Sequence, residues 1–125
     1  MRYISAQDIL FIHSVVVEET GGAHGVRDVG LLASIIQKPQ AQHGGKDLYG
    51  DAFQKAAVYL ESCANYHVFI DGNKRTGFAV AVRFLSLQGY TVKVPEKEVV
   101  AYMVGVATKE YGVDDIAMWL KQHSV

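Results

Sequence analysis

A chain of 125 residues, half of them apolar, is the length of one common domain and long enough to build a hydrophobic core, so a single domain over residues 1–125 is expected. Its charges nearly cancel, 12 Lys and Arg against 13 Asp and Glu for a formal net charge of −1, which argues against the basic face of a nucleic-acid binder. The single cysteine, Cys63, excludes an internal disulfide, and no apolar run is long enough to span a bilayer, so the expectation is a cytoplasmic protein with neither a membrane nor a direct nucleic-acid partner.

In chain order, Ser5 reads as an N-cap with Asp8 in the first turn of the helix behind it. Ile9, Ile12, Val15 and Val16 repeat at helical spacing, and this helix should end before Gly21-Gly22. Thr20 to Val29 lacks apolar periodicity and reads as an exposed loop. A short helix follows around Leu31, Leu32, Ile35 and Ile36 and must stop before Pro39. Gln40 to Gly50 reads as a polar, glycine-rich connection.

Asp51-Ala52-Phe53-Gln54 resembles a capping box. Behind it Phe53, Ala56, Ala57, Leu60 and Ala64 trace one helical stripe that delivers the chain to His67. Asp71-Gly72 marks a turn, and Gly77 to Gln88 reads as the next helix, with Gly89 at its C-terminal cap. Residues 90–94 alternate briefly and suit a short extended segment. Pro95 opens a further helix with Val99, Met103 and Val106 inward, and a last one starts near Asp114 with Ile116, Trp119 and Leu120 as packing residues. The predicted fold is all-α, a compact bundle of roughly six helices.

The chemistry concentrates in His67-Val68-Phe69-Ile70-Asp71-Gly72-Asn73-Lys74-Arg75-Thr76. The mouth of the helix after Gly72 offers unpaired backbone N–H groups and partial positive charge. Gly72 permits a positive φ and a close approach to the backbone. Lys74 adds a point charge and Arg75 a planar fork, which together suit phosphate oxygens. Asp71 has the chemistry to hold Mg²⁺ beside such phosphates. His67 can take a proton near neutrality, as an attacking hydroxyl requires. Phe69 reads as an apolar pin for the loop.

The same residues also admit a plainer reading: a turn at Asp71-Gly72-Asn73, two solvated cations and a structural histidine. His13, His24, His43 and His123 show no metal-ligand spacing and read as surface or packing residues, and no Gly-rich loop precedes a Lys and Ser/Thr in the manner of a P-loop.

The run from His67 closely resembles the signature of the Fic/Doc (filamentation/death-on-curing) family: His, any residue, Phe, any residue, Asp or Glu, Gly or Ala, Asn, Gly or Lys, Arg. Seven positions fit it: His67, Phe69, Asp71, Gly72, Asn73, Lys74 and Arg75. Met1 to Ser5 and Gly25 to Leu32 are similar to the opening and the loop-into-helix segment of the death-on-curing branch.

The resemblance implies a helical Fic-type fold that uses ATP and Mg²⁺ to modify a protein hydroxyl. His67 would be the general base and Asp71 the metal ligand, while Gly72, Asn73, Lys74 and Arg75 would hold phosphates. It further implies a toxin paired with an antitoxin that lays a segment across it, and a target such as elongation factor Tu, whose phosphorylation halts translation. AMP-transferring relatives usually carry Gly at the place of Lys74 and a second Arg at the place of Phe78. The departures favour γ-phosphoryl transfer, with AMP transfer as the alternative and a catalytically silent binding module as the alternative of another class. Ser14 to Glu18 begins like an inhibitory Fic helix, but Glu19 breaks that pattern. Arg27 and Asp28, in the Thr20–Val29 loop, are the candidates for docking target or antitoxin.

Overall fold

The computed structural model describes residues 1–125 and contains six α-helices. They are α1 (Ala6–Thr20), α2 (Val29–Gln37), α3 (Ala52–Asn65), α4 (Asn73–Leu87), α5 (Glu96–Ala107) and α6 (Val113–Gln122). The only strand pairing of any length is a two-residue antiparallel hairpin, β1 (Gln42–His43) with β2 (Lys46–Asp47). None of the helices is long and apolar enough to cross a membrane.

Local sequence chemistry sets most of the helix ends. The Ser5 hydroxyl accepts the Asp8 N–H while the Asp8 carboxylate accepts the Ser5 N–H, a reciprocal capping box. At the other end α1 stops at Gly21 in a left-handed conformation. The predicted box at Asp51 is only half formed: Asp51 accepts the Gln54 N–H, but the Gln54 side chain reaches Gly50 N–H instead of Asp51. Pro95 sits one position earlier than expected, as the N-cap of α5.

Helix α3 is the axis of the molecule. Lys55 to Leu60 are all buried, as are Ser62, Cys63 and Ala64, because α4 and α6 pack extensively on α3 and α5 and the Lys38–Gln40 turn add further contacts. The fully buried Lys55 donates to the Pro39 carbonyl at 3.2 Å and to the Asp47 carboxylate at 3.1 Å, tying the hairpin to this axis. Where α3 and α4 cross, a Cβ on Gly77 would meet the Leu60 carbonyl oxygen at 2.8 Å, so the missing side chain sets how closely these helices approach.

Two sequence expectations are corrected, on the buried face of α1 and on the Gln40–Gly50 connection. The buried stripe of α1 is Ile9, His13, Val16 and Val17, whereas Val15 is exposed, because the helix is rotated by about one residue from the apolar pattern. Helix α2 stops at Gln37, before Pro39 as expected, and the chain then tightens into a 3₁₀ turn over Lys38–Gln40 that tolerates the ring near its start. The Gln40–Gly50 connection holds the β1–β2 hairpin, turned by Gly44 and Gly45, both at positive φ. The extended segment at 90–94 is present, and it bridges to the C-terminus through Val92 and Ser124.

Candidate active site

The segment between α3 and α4 is fixed at four points. First, His67 takes a left-handed conformation, φ 53°, uncommon for a residue with a side chain. Its carbonyl accepts the Arg27 Nε–H at 2.7 Å, and a second Arg27 nitrogen reaches the Tyr66 carbonyl at 3.4 Å. Second, the loop after α1 runs antiparallel to it: Val26 bridges Phe69, Val68 carbonyl accepts from Arg27 and Asp28 N–H, and Ile70 N–H donates to the Gly25 carbonyl at 3.1 Å. Third, the Asn73 side chain clasps Phe69, accepting its N–H at 3.0 Å and donating to its carbonyl at 2.9 Å. Fourth, the buried His13 ring lies parallel to the Phe69 ring, centroids 3.7 Å apart, with Nε2 2.7 Å from the Asp71 carbonyl oxygen.

This framework leaves chemistry facing outward. After the left-handed turn at His67, Val68 and Phe69 are both fully buried, Phe69 as the apolar pin expected of it, while Ile70 is exposed. The His67 side chain is exposed and makes no hydrogen bond within the chain, so its imidazole is available to a ligand.

Gly72, φ 80°, is the N-cap of α4, and no side chain caps this end. The first intrahelical bond is Thr76 N–H to Gly72 carbonyl, leaving the N–H groups of Asn73, Lys74 and Arg75 without helical partners. A Cβ on Gly72 would face Val16 and Val17 at 3.5 Å, so the residue is required by its positive φ rather than by clearance for an anion.

The remaining predicted residues divide by what they touch. One Asp71 oxygen accepts the Ala23 N–H at 2.9 Å, and the other has no protein partner. There is no cluster of three or more His, Cys, Asp and Glu, so a metal here would take most of its ligands from phosphate and water, as Mg²⁺ does. The Asn73 amide is spent on Phe69, so what it offers an anion is its backbone N–H. Lys74 is exposed and unpaired. Arg75 donates to Glu96 at 2.8 Å across the mouth of a cleft of about 290 Å³ between α1, α4 and α5, lined by apolar Val16, Phe78, Ala79, Val94 and Val99.

Arg27 and Asp28 do not pair with each other. Arg27 holds the His67 backbone, and Asp28 caps α2 by accepting the Leu31 N–H at 3.0 Å. His13, expected as a surface or packing residue, packs on Phe69; its bond to Asp71 was not anticipated, although a histidine on the apolar stripe of α1 was the available sign. Glu96 carried no sign, since its partner comes from another helix.

The pattern that defines the Fic/DOC family matches residues 3–85. A protein of Mycolicibacterium smegmatis named Toxin Doc is 38% identical over 120 residues, covering 93% of this chain and 88% of that protein. Protein kinase doc of Escherichia phage P1 is 34% identical over 122 residues, covering 98% of this chain and 95% of its own length. With the family pattern spanning most of the sequence and both relatives aligned over nearly all of it, the chain belongs to the Fic/DOC family.

Proposed function

We propose that this protein is the toxin of a toxin–antitoxin pair and transfers the γ-phosphoryl group of ATP to a hydroxyl of a protein target, with a translation factor such as elongation factor Tu as the target class. The observation that carries the reading is an uncommitted, exposed His67 on a loop braced at four points, next to an uncapped α4 N-terminus flanked by Lys74 and Arg75. The two relatives, one named a toxin and the other a protein kinase, agree with it.

In this mechanism the first-turn N–H groups of α4, with Lys74 and Arg75, bind the phosphate chain of ATP. Asp71 would hold Mg²⁺, which would neutralise phosphate charge when bound. His67 accepts the proton of the target hydroxyl as its oxygen forms a bond to Pγ; the bond from Pγ to the β–γ bridging oxygen breaks, and ADP leaves. The target reaches His67 by extending the strand at Val26, whose N–H and C=O make no bond within the chain and form an open edge. Asp28 and Arg27 set the position of that edge. A cognate antitoxin that fills the apolar cleft beside Arg75 would close the nucleotide site from its flank.

The test is to incubate the purified protein with cell lysate and ATP labelled at either the α or the γ phosphorus. Label from γ-³²P on a discrete protein, lost in His67→Ala, is the expected result. Label from α-³²P would make the enzyme an AMP-transferase. No label from either, with growth arrest undiminished in His67→Ala, would leave a silent binding module in place of an enzyme.

A further inference from the structure

The loop is gripped from inside the molecule by a residue the reaction scheme does not use. His13 lies on α1, 58 positions before Asp71, and is 4% exposed. A carbonyl oxygen can only accept, so at 2.7 Å from the Asp71 carbonyl the His13 Nε2 carries the proton. That carbonyl takes no bond from the first turn of α4, whose ladder begins one residue later at Gly72. Nothing else in the chain donates to it. The same imidazole lies flat on Phe69, 3.7 Å between centroids with the planes 8° apart.

One rigid ring therefore sets Phe69 and Asp71 relative to each other, and the two reactive ends of the loop lie on either side of that pair. His67 precedes Phe69 by two residues. The Asp71 carboxylate and the Gly72 entry to α4 follow from the Asp71 peptide plane that His13 holds. With Asn73 clasping both backbone groups of Phe69, the ring under the phenyl group stands on a fixed support.

We infer that His13 is a positioning residue for phosphate and metal binding: its Nε2–H holds the Asp71 carbonyl so that the Asp71 carboxylate and the α4 N-terminus face the nucleotide together. The role rests on the ATP reading of the site. It is distinct from general packing, since it assigns the effect to one N–H group and not to the volume of the ring.

Two variants separate these. His13→Phe keeps a ring against Phe69 and removes the donor. His13→Gln loses the ring and keeps an amide nitrogen the same number of bonds from Cα. With folding of both checked by circular dichroism at the assay temperature, His13→Phe should raise KM for ATP about ten- to a hundredfold, the usual effect of removing a group that orients a ligand-binding side chain. His13→Gln should bring KM most of the way back. A merely structural role would lower the amount of active protein, reducing kcat at constant KM.

In ligand-free protein, ¹⁵N relaxation should show added motion at the Gly72 and Asn73 amides in His13→Phe and not in His13→Gln. That measurement stands even if the protein transfers no phosphate, so a failure of the ATP reading is seen as an inactive wild type with the relaxation difference intact. Equal KM in wild type and His13→Phe, equal impairment of both variants, or unchanged relaxation at Gly72 in His13→Phe would each overturn the inference.

Discussion

Arg27 Nε donates to the His67 carbonyl at 2.7 Å, although forty residues separate them. The bond holds the backbone of the candidate base and leaves its imidazole without a partner in the chain. It also faces a strained position, because His67 is at φ 53°. A left-handed residue with a side chain persists only when its surroundings over-determine it, and here the Arg27 fork and the Val26–Phe69 bridge do so together.

Arg27→Ala should therefore lower phosphoryl transfer about tenfold through misplacement of His67. Arg27→Lys should recover little of this, since an ammonium cannot reproduce a planar fork aimed at two carbonyls. Steady-state kinetics on both variants checks it, and full activity in Arg27→Lys would remove the role of the fork.

His67→Ala and His67→Gly should both lose about 10²- to 10⁴-fold in transfer rate, the usual contribution of a general base. Their stabilities should differ. The glycine variant should be more stable than the alanine variant by about 1 kcal/mol, because only the latter keeps a Cβ in the left-handed region. Urea midpoints for the pair test the strain independently of chemistry.

The Arg75–Glu96 contact sets a ceiling on its own influence. Both side chains are about half exposed or more, 49% and 75%, and pairs of this kind contribute about 0–1 kcal/mol. Glu96→Ala should thus lower KM for ATP, by freeing Arg75, but by no more than about fivefold. A larger change would mean that Glu96 does more than compete for the guanidinium.

Two glycines in the same helix region should respond in opposite measure. Gly77→Ala drives a Cβ to 2.8 Å from the Leu60 carbonyl oxygen and 3.3 Å from the Ala64 nitrogen, groups of helix backbone that cannot yield. It should cost about 3 kcal/mol by forcing α3 from α4. Gly72→Ala meets valine methyls at 3.5 Å and His13 Cδ2 at 3.8 Å, ordinary contacts, and should cost about 1 kcal/mol, from its positive φ. Chemical denaturation orders the two.

Burial pushes the Cys63 thiol up to about 12. The folded chain thus keeps a proton that an unfolded thiol releases near its ordinary value of about 8.5. Stability is intact below that value and falls as pH rises from there toward 12. Burial likewise raises Tyr59 and Tyr102 to about 12, so in Cys63→Ala the alkaline decline should begin later, where unfolded tyrosines titrate near pH 10. Native Cys63 should react with a thiol reagent at pH 8 only as fast as the protein opens. Rapid labelling without unfolding would contradict the burial.

What the sequence determined by itself was local. Helix starts at Ser5 and Asp51, the stop at Gly21 and the turn at Gly72 are legible because capping and positive φ are decided by residues within one turn of each other. The spacing from His67 to Arg75 was equally legible, since one short loop carries it. The tertiary structure decided which of those groups remain available. Asn73 turns inward to Phe69, Asp28 caps α2, Arg75 meets Glu96, and His13, while packing on Phe69, also holds Asp71. The Arg75–Glu96 and His13–Asp71 contacts join residues 21 and 58 positions apart, whereas Asp28 and Asn73 meet partners within four residues whose place the folded loop fixes. Hydrogen bonds between distant segments leave no periodicity in the chain, so they emerge only once α1 and α4 are packed together.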